Sequence, residues 1–544
     1  MHILAAWISA LSVALIPVVL LAVAGCKVQS LPPEAKAGPK PAMVKVWPDS
    51  GFELRVLFTV GDQLGDYQPP GKLDGLGAWR FNDGTVRILA NHEFGASKAY
   101  PFRLANGTEL RGSRISFFDL NRRTLEIEEA GLAFDSIRDR RGREVTSAAQ
   151  VSERTDVDKA GLNALCSAAA YTAGDAGFVD DIFFTNEEVS AREDHPHGGS
   201  VWALDVAERR LWALPDLGRG SWENVTALDA PPGYVALLLG DDIEFGRAPL
   251  YLYLGRKDPA GDFLARNGLR GGRLFVWVAD SGDLSPADWH GTGSRRDGQF
   301  LPLAARDPAR AGERGHDVDG YLNDTALRKR AWALGAFRFS RPEDLHANPA
   351  NGNQAVFAST GHGRLFPEDD WGTLYLVDVR FVSAANAWPR ATASLAILHD
   401  ADDFGDVGIR SADNLTWARD GMVYVQEDKA TKRARFGGES GIEASVWRID
   451  PARPADYQRI AVIDRSVRVP AGVRDTKAGR LGAWETSGIV DISDQIGVPS
   501  PGLALLLTVQ AHGLRGGPVG RQALGEGGQL VLLTRDWRRV PASP

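Results

Sequence analysis

The chain has 544 residues and a formal charge of −8, from 62 basic against 70 acidic side chains. No long run of Lys or Arg is present to neutralise a nucleic-acid backbone, which argues against nucleic acid as a partner. Sixty glycines, thirty prolines and fifteen tryptophans describe many tight turns between short strands, so the composition points to an all-β chain rather than a helical one.

Residues 1–25 are apolar almost throughout and lead into Leu21-Ala22-Val23-Ala24-Gly25-Cys26. Small residues directly before a cysteine are the pattern of a bacterial lipoprotein signal, with Cys26 as the lipidated residue. The other reading is an uncleaved anchor, since roughly twenty apolar residues span a bilayer. Either way the body is expected outside the cytoplasm, as an exported, membrane-anchored protein on the periplasmic or outer cell surface. Residues 26–45, rich in Pro, Ala and Lys, read as a semi-extended tether, and 46–544 as a single domain. Lipidation of Cys26 leaves Cys166 as the one other cysteine. Without a disulfide framework, Cys166 is a buried small hydrophobe, a reactive thiol or a metal ligand.

Along the body a small residue followed by a β-rich run recurs. Copies read Gly112-Ser113-Arg114-Ile115-Ser116-Phe117-Phe118-Asp119, Gly199-Ser200-Val201-Trp202-Ala203-Leu204-Asp205 and Gly272-Arg273-Leu274-Phe275-Val276-Trp277. Three more are Gly372-Thr373-Leu374-Tyr375-Leu376-Val377-Asp378, Ala444-Ser445-Val446-Trp447-Arg448-Ile449-Asp450 and Gly528-Gln529-Leu530-Val531-Leu532-Leu533. Each follows another β-rich run, as repeated four-stranded sheets would require, and six copies predict a six-bladed β-propeller. The copies lie roughly 70 to 100 residues apart, wider than the ~40–50 of compact propeller repeats, so long loop insertions are expected. In one of them Asp324 is positioned to cap a helix over 325–334 that Gly335 ends. Two stacked sandwiches are the alternative architecture.

Charged clusters interrupt the strand pattern. Asn91-His92-Glu93 follows the run 85–90, Thr185-Asn186-Glu187-Glu188 ends another, and Gly240-Asp241-Asp242 follows 234–239. Arg341-Pro342-Glu343-Asp344, Ser411-Ala412-Asp413-Asn414, Gln426-Glu427-Asp428, Glu223 and Glu485 complete the set. Acids at strand ends, repeated from blade to blade, would converge on a propeller axis. Unpaired carboxylates brought together repel, and a hard multivalent cation such as calcium relieves them. The bland alternative for any one cluster is a solvated turn. A thiolate ligand at Cys166 would call for a softer metal, and His92 is open between ligand, hydrogen-bond partner and core residue. A Gly-x-Ser-x-Gly elbow, a phosphate-binding Gly-x-x-x-x-Gly-Lys-Ser/Thr loop and a His-Glu-x-x-His helix are all missing, which removes serine hydrolases, nucleoside-triphosphatases and zincins.

In this order the clusters resemble the PhoX-type alkaline phosphatase family, from Asp74-Gly75-Leu76-Gly77-Ala78 through Asn91-His92-Glu93, Cys166, Glu187-Glu188, Glu223, Asp241-Asp242 and Arg341-Pro342-Glu343-Asp344 to Asp413-Asn414. The resemblance implies a six-bladed propeller and a phosphomonoesterase with calcium ions and an iron pair in its axial site. It assigns Cys166, Glu188 and Glu223 to iron-ligand motifs and Arg341 to the phosphate. Glu187, Glu343 and Asp344 become calcium or shared ligands, with His92, Glu93, Asp241, Asp242, Asp413, Asn414, Glu427, Asp428 and Glu485 as additional site residues. The expected partners are a small phosphorylated substrate and, through the lipid, a membrane, with the protein acting as a monomer. Two rivals stand beside it: a calcium-stabilised surface propeller that binds a ligand without turnover, and another propeller hydrolase of lactonase or phytase type. Cys166 together with Arg341 separates them, because a purely structural calcium site needs neither a thiolate nor a phosphate-facing guanidinium.

Overall fold

A computed structural model of the chain describes residues 40–152, 160–190, 197–243, 246–383, 387–430 and 434–537. The expected signal segment with Cys26, and most of the expected tether, lie outside the described residues. The compact unit begins at Pro41, and Val44–Val46 already pairs with the strand Arg453–Ile463. Among the described residues no helix is long and apolar enough to cross a membrane.

The unit is predominantly β. Its strands form successive antiparallel meanders, each of four strands. The first is Leu73–Arg80, Thr85–His92, Arg114–Asn121 and Ile127–Leu132, and the second Leu165–Tyr171, Ile182–Glu187, Val201–Asp205 and Arg210–Ala213. The third, Trp222–Leu228, Tyr234–Asp241, Tyr251–Arg256 and Arg273–Ala279, joins the fourth, Pro342–Asn348, Asn351–Ser359, Thr373–Val382 and Arg390–Asp400, through the added strand Arg295–Leu303. The fifth is Ala412–Trp417, Val423–Glu427, Ser445–Asp450 and Arg453–Ile463. The sixth combines Glu485–Asp491, Leu503–Ala511 and Gly527–Arg535 with Phe52–Thr59 from the other end of the chain. Five of the six runs that recur in the sequence are third strands of these meanders, and the run at 272–277 is the fourth strand of the third meander.

Alternation along each strand explains the packing. In the second meander Phe183, Trp202 and Leu204 face Trp79, Leu89 and Phe117 of the first, whereas Phe184, Val201 and Ala203 face Val225, Leu237 and Tyr251 of the third. Both faces of each sheet are therefore buried, and the strands read as continuous apolar runs. The helix in the insertion is Asp324–Ala333, one residue earlier than expected: Asn323 is its cap and accepts from the Ala326 N–H, while Asp324 pairs with Arg328 inside the first turns.

The first strand of every meander packs beside the first strand of the next, and that of the sixth beside that of the first. Five of these inner strands share one irregularity. Between Leu73 and Leu76, Leu165 and Ala168, Trp222 and Val225, Pro342 and Leu345, and Ala412 and Leu415, two residues oppose a single residue of the second strand. Such a bulge re-aims a side chain that regular alternation would send elsewhere. The bulged pairs are Asp74-Gly75, Cys166-Ser167, Glu223-Asn224, Glu343-Asp344 and Asp413-Asn414. Gly75 is needed for close approach, because a Cβ there would meet the backbone of Ser167 and Ala168. Gly75→Ala is accordingly expected to cost about 1–3 kcal/mol, as overpacking does, and to push Cys166 away from Asp74. Denaturant unfolding of the variant against wild type measures it; an unchanged midpoint would disprove the tight approach.

Candidate metal centre

Consecutive titratable residues at the ends of the second strands, His92-Glu93, Glu187-Glu188, Asp241-Asp242 and Glu427-Asp428, divide by the same alternation. The first of each pair turns into the fold. His92 bonds Ser116 Oγ at 2.7 Å and Gly71 O at 3.0 Å through its two ring nitrogens. Glu187 accepts from the Asn163 and Ser200 N–H groups, each at 3.2 Å. Asp241 is gripped by Arg328 and accepts from the Ser221 N–H at 2.9 Å. Glu427 accepts from Arg410, the Ser445 N–H and Trp447. These four belong to the scaffold of hydrogen bonds around the centre. The second of each pair, Glu93, Glu188, Asp242 and Asp428, faces the other way; Glu93, Glu188 and Asp428 line a cavity of about 1010 Å³.

The first residues of the bulges meet them. Asp74, Glu93 and Cys166 form one group, Cys166, Glu188 and Glu223 a second, and Glu223, Glu343 and Asp413 a third, with ligand atoms in each group within 4.8 Å of one another. Cys166 and Glu223 are shared, so the three groups form one continuous centre. The second bulge residues point away from it. Asp344 accepts from the Leu345 N–H at 2.8 Å, the Leu415 N–H at 2.9 Å and from Asn224, and neither Asp344 nor Asn414 joins these groups. Glu485 is in regular register, opposite Gln510, and bonds His512 at 3.0 Å and the Lys429 N–H at 2.8 Å.

Sequence reasoning passed over Asp74 as a ligand, together with Lys72, Lys429, Gln510 and His512. Asp74 occupies the bulge position that Cys166, Glu223, Glu343 and Asp413 occupy in the other meanders, a correspondence that only the strand register reveals. Gln510 donates to Asp74 at 2.7 Å and to Glu93 at 3.0 Å, and Lys72 pairs with Glu93 at 3.1 Å.

Burial first, and then the neighbouring acids, push Asp74, Cys166, Glu188, Glu223, Glu343 and Asp413 well above their ordinary values. Glu93 and Glu485 are also buried, but the lysines and His512 beside them hold them low. One oxygen each of Asp74 and Glu223 is buried without a hydrogen-bond partner. Carboxylates at mutual contact, with oxygens left unsatisfied, fit hard cations, and the Sγ of Cys166 adds a softer donor at one end.

Arg341 stands beside this centre in a strained backbone, at φ 61°. Asp242 holds its Nε at 2.9 Å and Nη2 at 2.7 Å, Glu343 lies 3.0 Å from Nη2, and Asp428 is 3.4 Å from Nη1. Lys72, Ala164 and Ser411 share the positive φ at the same place before their inner strands. Strain of this kind persists only where the surroundings enforce it.

One cavity wall is fixed by a second carboxylate. Asp406 accepts from the N–H groups of Gly437, Glu439 and Ser440 at 2.7, 3.0 and 2.7 Å and from Arg410 at 3.0 Å. Burial would raise its pKa, but the Ser440 and Gly437 N–H groups and Arg410 bring it down to about 2.

Residues 201–446 match the profile of the family described as alkaline phosphatase PhoX. The fold is similar to that of Pseudomonas fluorescens PhoX in complex with vanadate, a transition state analogue, with a TM-score of 0.58 and 16% identity over 91% of this chain and 96% of that one. The PhoX resemblance holds. Among curated protein sequences none matches the chain.

The shared pattern places Glu223, Arg341, Glu343 and Asp413 inside the PhoX-matched segment, and Asp74, Glu93, Cys166 and Glu188 before it. Removing bound cations with a chelator is expected to lower the melting temperature by several degrees, because the repelling acids then lose what binds only the folded state. A melting curve unchanged by chelator, in protein shown to be metal-loaded beforehand, would refute this. For Asp406 the folded pKa lies below the unfolded value, so its contribution is present above about pH 4 and is lost as the pH falls through about 2. Asp406→Asn is expected to cost about 2 kcal/mol at neutral pH, and the cost should vanish in denaturant titrations near pH 2. A cost that persists there would assign Asp406 a role independent of its charge.

Proposed function

We propose that the protein is a metal-dependent phosphomonoesterase on a six-bladed β-propeller, taking small phosphorylated substrates into the cavity above the acidic centre. The observation that carries this reading is the convergence of Asp74, Cys166, Glu188, Glu223, Glu343 and Asp413 beside the Arg341 guanidinium. Calcium suits the all-oxygen group of Glu223, Glu343 and Asp413, and iron suits the groups that include Cys166. When bound, such cations supply Lewis-acid polarisation and neutralise phosphoryl charge. Lipidation at Cys26 would tether the activity outside the cytoplasm. The vanadate bound by Pseudomonas fluorescens PhoX supports the same class of reaction here.

The chain's own part is orientation. Asp242 takes Nε and Nη2 of Arg341 and so fixes the guanidinium plane. Nη1, with only the long contact to Asp428, is the donor left for an equatorial phosphoryl oxygen, where a planar guanidinium stabilises transition-state charge. Half-exposed Lys429, 3.2 Å from Asp428 and 3.6 Å from Glu485, offsets the acids at the cavity floor.

Arg341→Lys keeps the positive charge for Asp242, Glu343 and Asp428 but loses the fork. Phosphomonoester turnover should fall on the order of 10³-fold, with melting changed far less. Turnover retained per folded molecule alongside lowered melting would reduce Arg341 to a structural bridge. Metal-loaded wild type that turns over no phosphomonoester would remove the catalytic reading and leave a ligand-binding surface protein.

A further inference from the structure

We propose that the ring of inner strands holds a second site, behind the acidic centre, that binds a linear organic diamine lengthwise. One ammonium sits on Asp344 and Asn224, and the other lies between the exposed Asp175 and Asp229. The site does not depend on the phosphomonoesterase reading.

A cavity of about 490 Å³ is lined from all six inner strands, a size within the range for pockets that enclose small organic ligands. Its depth follows from the chain. The first residues of the bulges, near the start of each bulged inner strand, meet in the acidic centre, so these strands all leave the centre in one direction. Residues later in each strand therefore lie further from it. Exposure rises the same way: Ser167, Asn224 and Asp344 are buried, 168–171 and 346–348 are half-buried although they lie within regular strands, and Asp175 and Asp229 beyond the strand ends are exposed. The inner end of the cavity is thus the layer of second bulge residues. Its mouth opens away from Arg341, which directly precedes the fourth inner strand.

The inner end offers acceptors. Asp344 is fixed by the Leu345 and Leu415 N–H groups and by Asn224. Asn224, only 1% exposed, donates its Nδ2 to Ser167 Oγ at 2.8 Å and to Asp344, and its Oδ1 is buried without a hydrogen-bond partner. A buried acceptor left unsatisfied is costly. An ammonium brings three N–H donors and a charge opposite to that of Asp344, which is the chemistry this end lacks.

The sleeve beyond it suits methylenes. Leu76, Ala168, Leu345, Leu415 and Ile489 line it, and its polar groups are engaged with one another. The Tyr171 and Thr226 hydroxyls bond at 3.2 Å, and His346 Nδ1 bonds the Ala347 carbonyl at 2.8 Å. Burial holds His346 below its ordinary value and so neutral, and the lining contains neither Lys nor Arg. At the mouth Arg419 meets Asp494 at 2.6 Å, whereas Asp175 and Asp229 have no ion pair among the described residues. From Asn224 to Asp229 the extended chain advances about 16 Å, which sets the two acidic ends far enough apart for separate ammonium groups. Charge at both ends with an apolar middle selects a diamine over a metal ion or an anion.

Calorimetry on the metal-loaded protein tests this with 1,8-diaminooctane, octylamine and 1,8-octanediol. Octylamine should bind at least about tenfold more tightly than the diol, as a charged hydrogen bond at a buried end implies. The diamine should gain about a further threefold at low salt, and added salt should shrink that gain. Asp344→Asn should weaken the diamine about tenfold. Asp175→Asn with Asp229→Asn, at exposed positions outside the strands, should bring the diamine level with octylamine while melting stays unchanged. Glu188→Gln, in the acidic centre, should leave diamine binding intact. The site is overturned if wild type does not bind the diamine, if the diol binds as well as the amines, or if the mouth variant keeps the full diamine preference. Loss of diamine binding in Glu188→Gln would place the amine in the catalytic cavity and overturn it equally.

Discussion

Acids and a thiol held within 4.8 Å of one another in a buried site cannot all be charged unless something positive joins them. The remaining ion pairs are arranged around that conflict. Several acids have a cation of their own: Glu93 has Lys72 and Glu485 has Lys429 and His512, which hold both low, while Asp241 pairs with Arg328 and Glu427 with Arg410. Asp74, Cys166, Glu188, Glu223 and Asp413 have no such partner among the ion pairs of the described residues, and these are groups that burial and mutual repulsion push upward. Glu93 and Glu343 belong to both sets, each paired with a cation and each within a ligand group.

What holds the ligands there is backbone, not side-chain likeness. The same two-for-one bulge delivers a thiol in one meander and carboxylates in others, and left-handed backbone precedes four of the inner strands. The sixth meander shows the converse. Its inner strand stays in register at Glu485, and Glu485 remains tied to His512 and Lys429 outside the three ligand groups.

The repeat was legible because in five of the six meanders the third strand follows a small residue and is largely buried, leaving an apolar run with few interruptions. The charged clusters were legible for the opposite reason, since acids at the ends of such runs are costly unless used. The sequence does not say which acid of Glu187-Glu188 or Asp241-Asp242 turns inward. That depends on strand register, which one residue of slip reverses. Likewise Asp344 beside Glu343 reads as an equivalent ligand until the bulge separates them. The helix cap was misplaced by one position because Asn323 and Asp324 are both good caps, and only the pairing of Asp324 with Arg328 decides between them. Asp74 was passed over because it lies in a Gly-rich strand without a second acid beside it.

The walls above the centre obey the same economy as the floor. Asp406 takes three backbone N–H groups of one wall, and Glu443 with Arg465 takes an N–H group and two carbonyls of the other. Arg410 joins Asp406 to Glu427, the residue directly before Asp428, so one wall and the floor are coupled through a single buried guanidinium. Backbone groups committed in this way are not available to a lid that opens and closes. The lining above the centre is therefore expected to keep its shape whether or not the cavity is occupied.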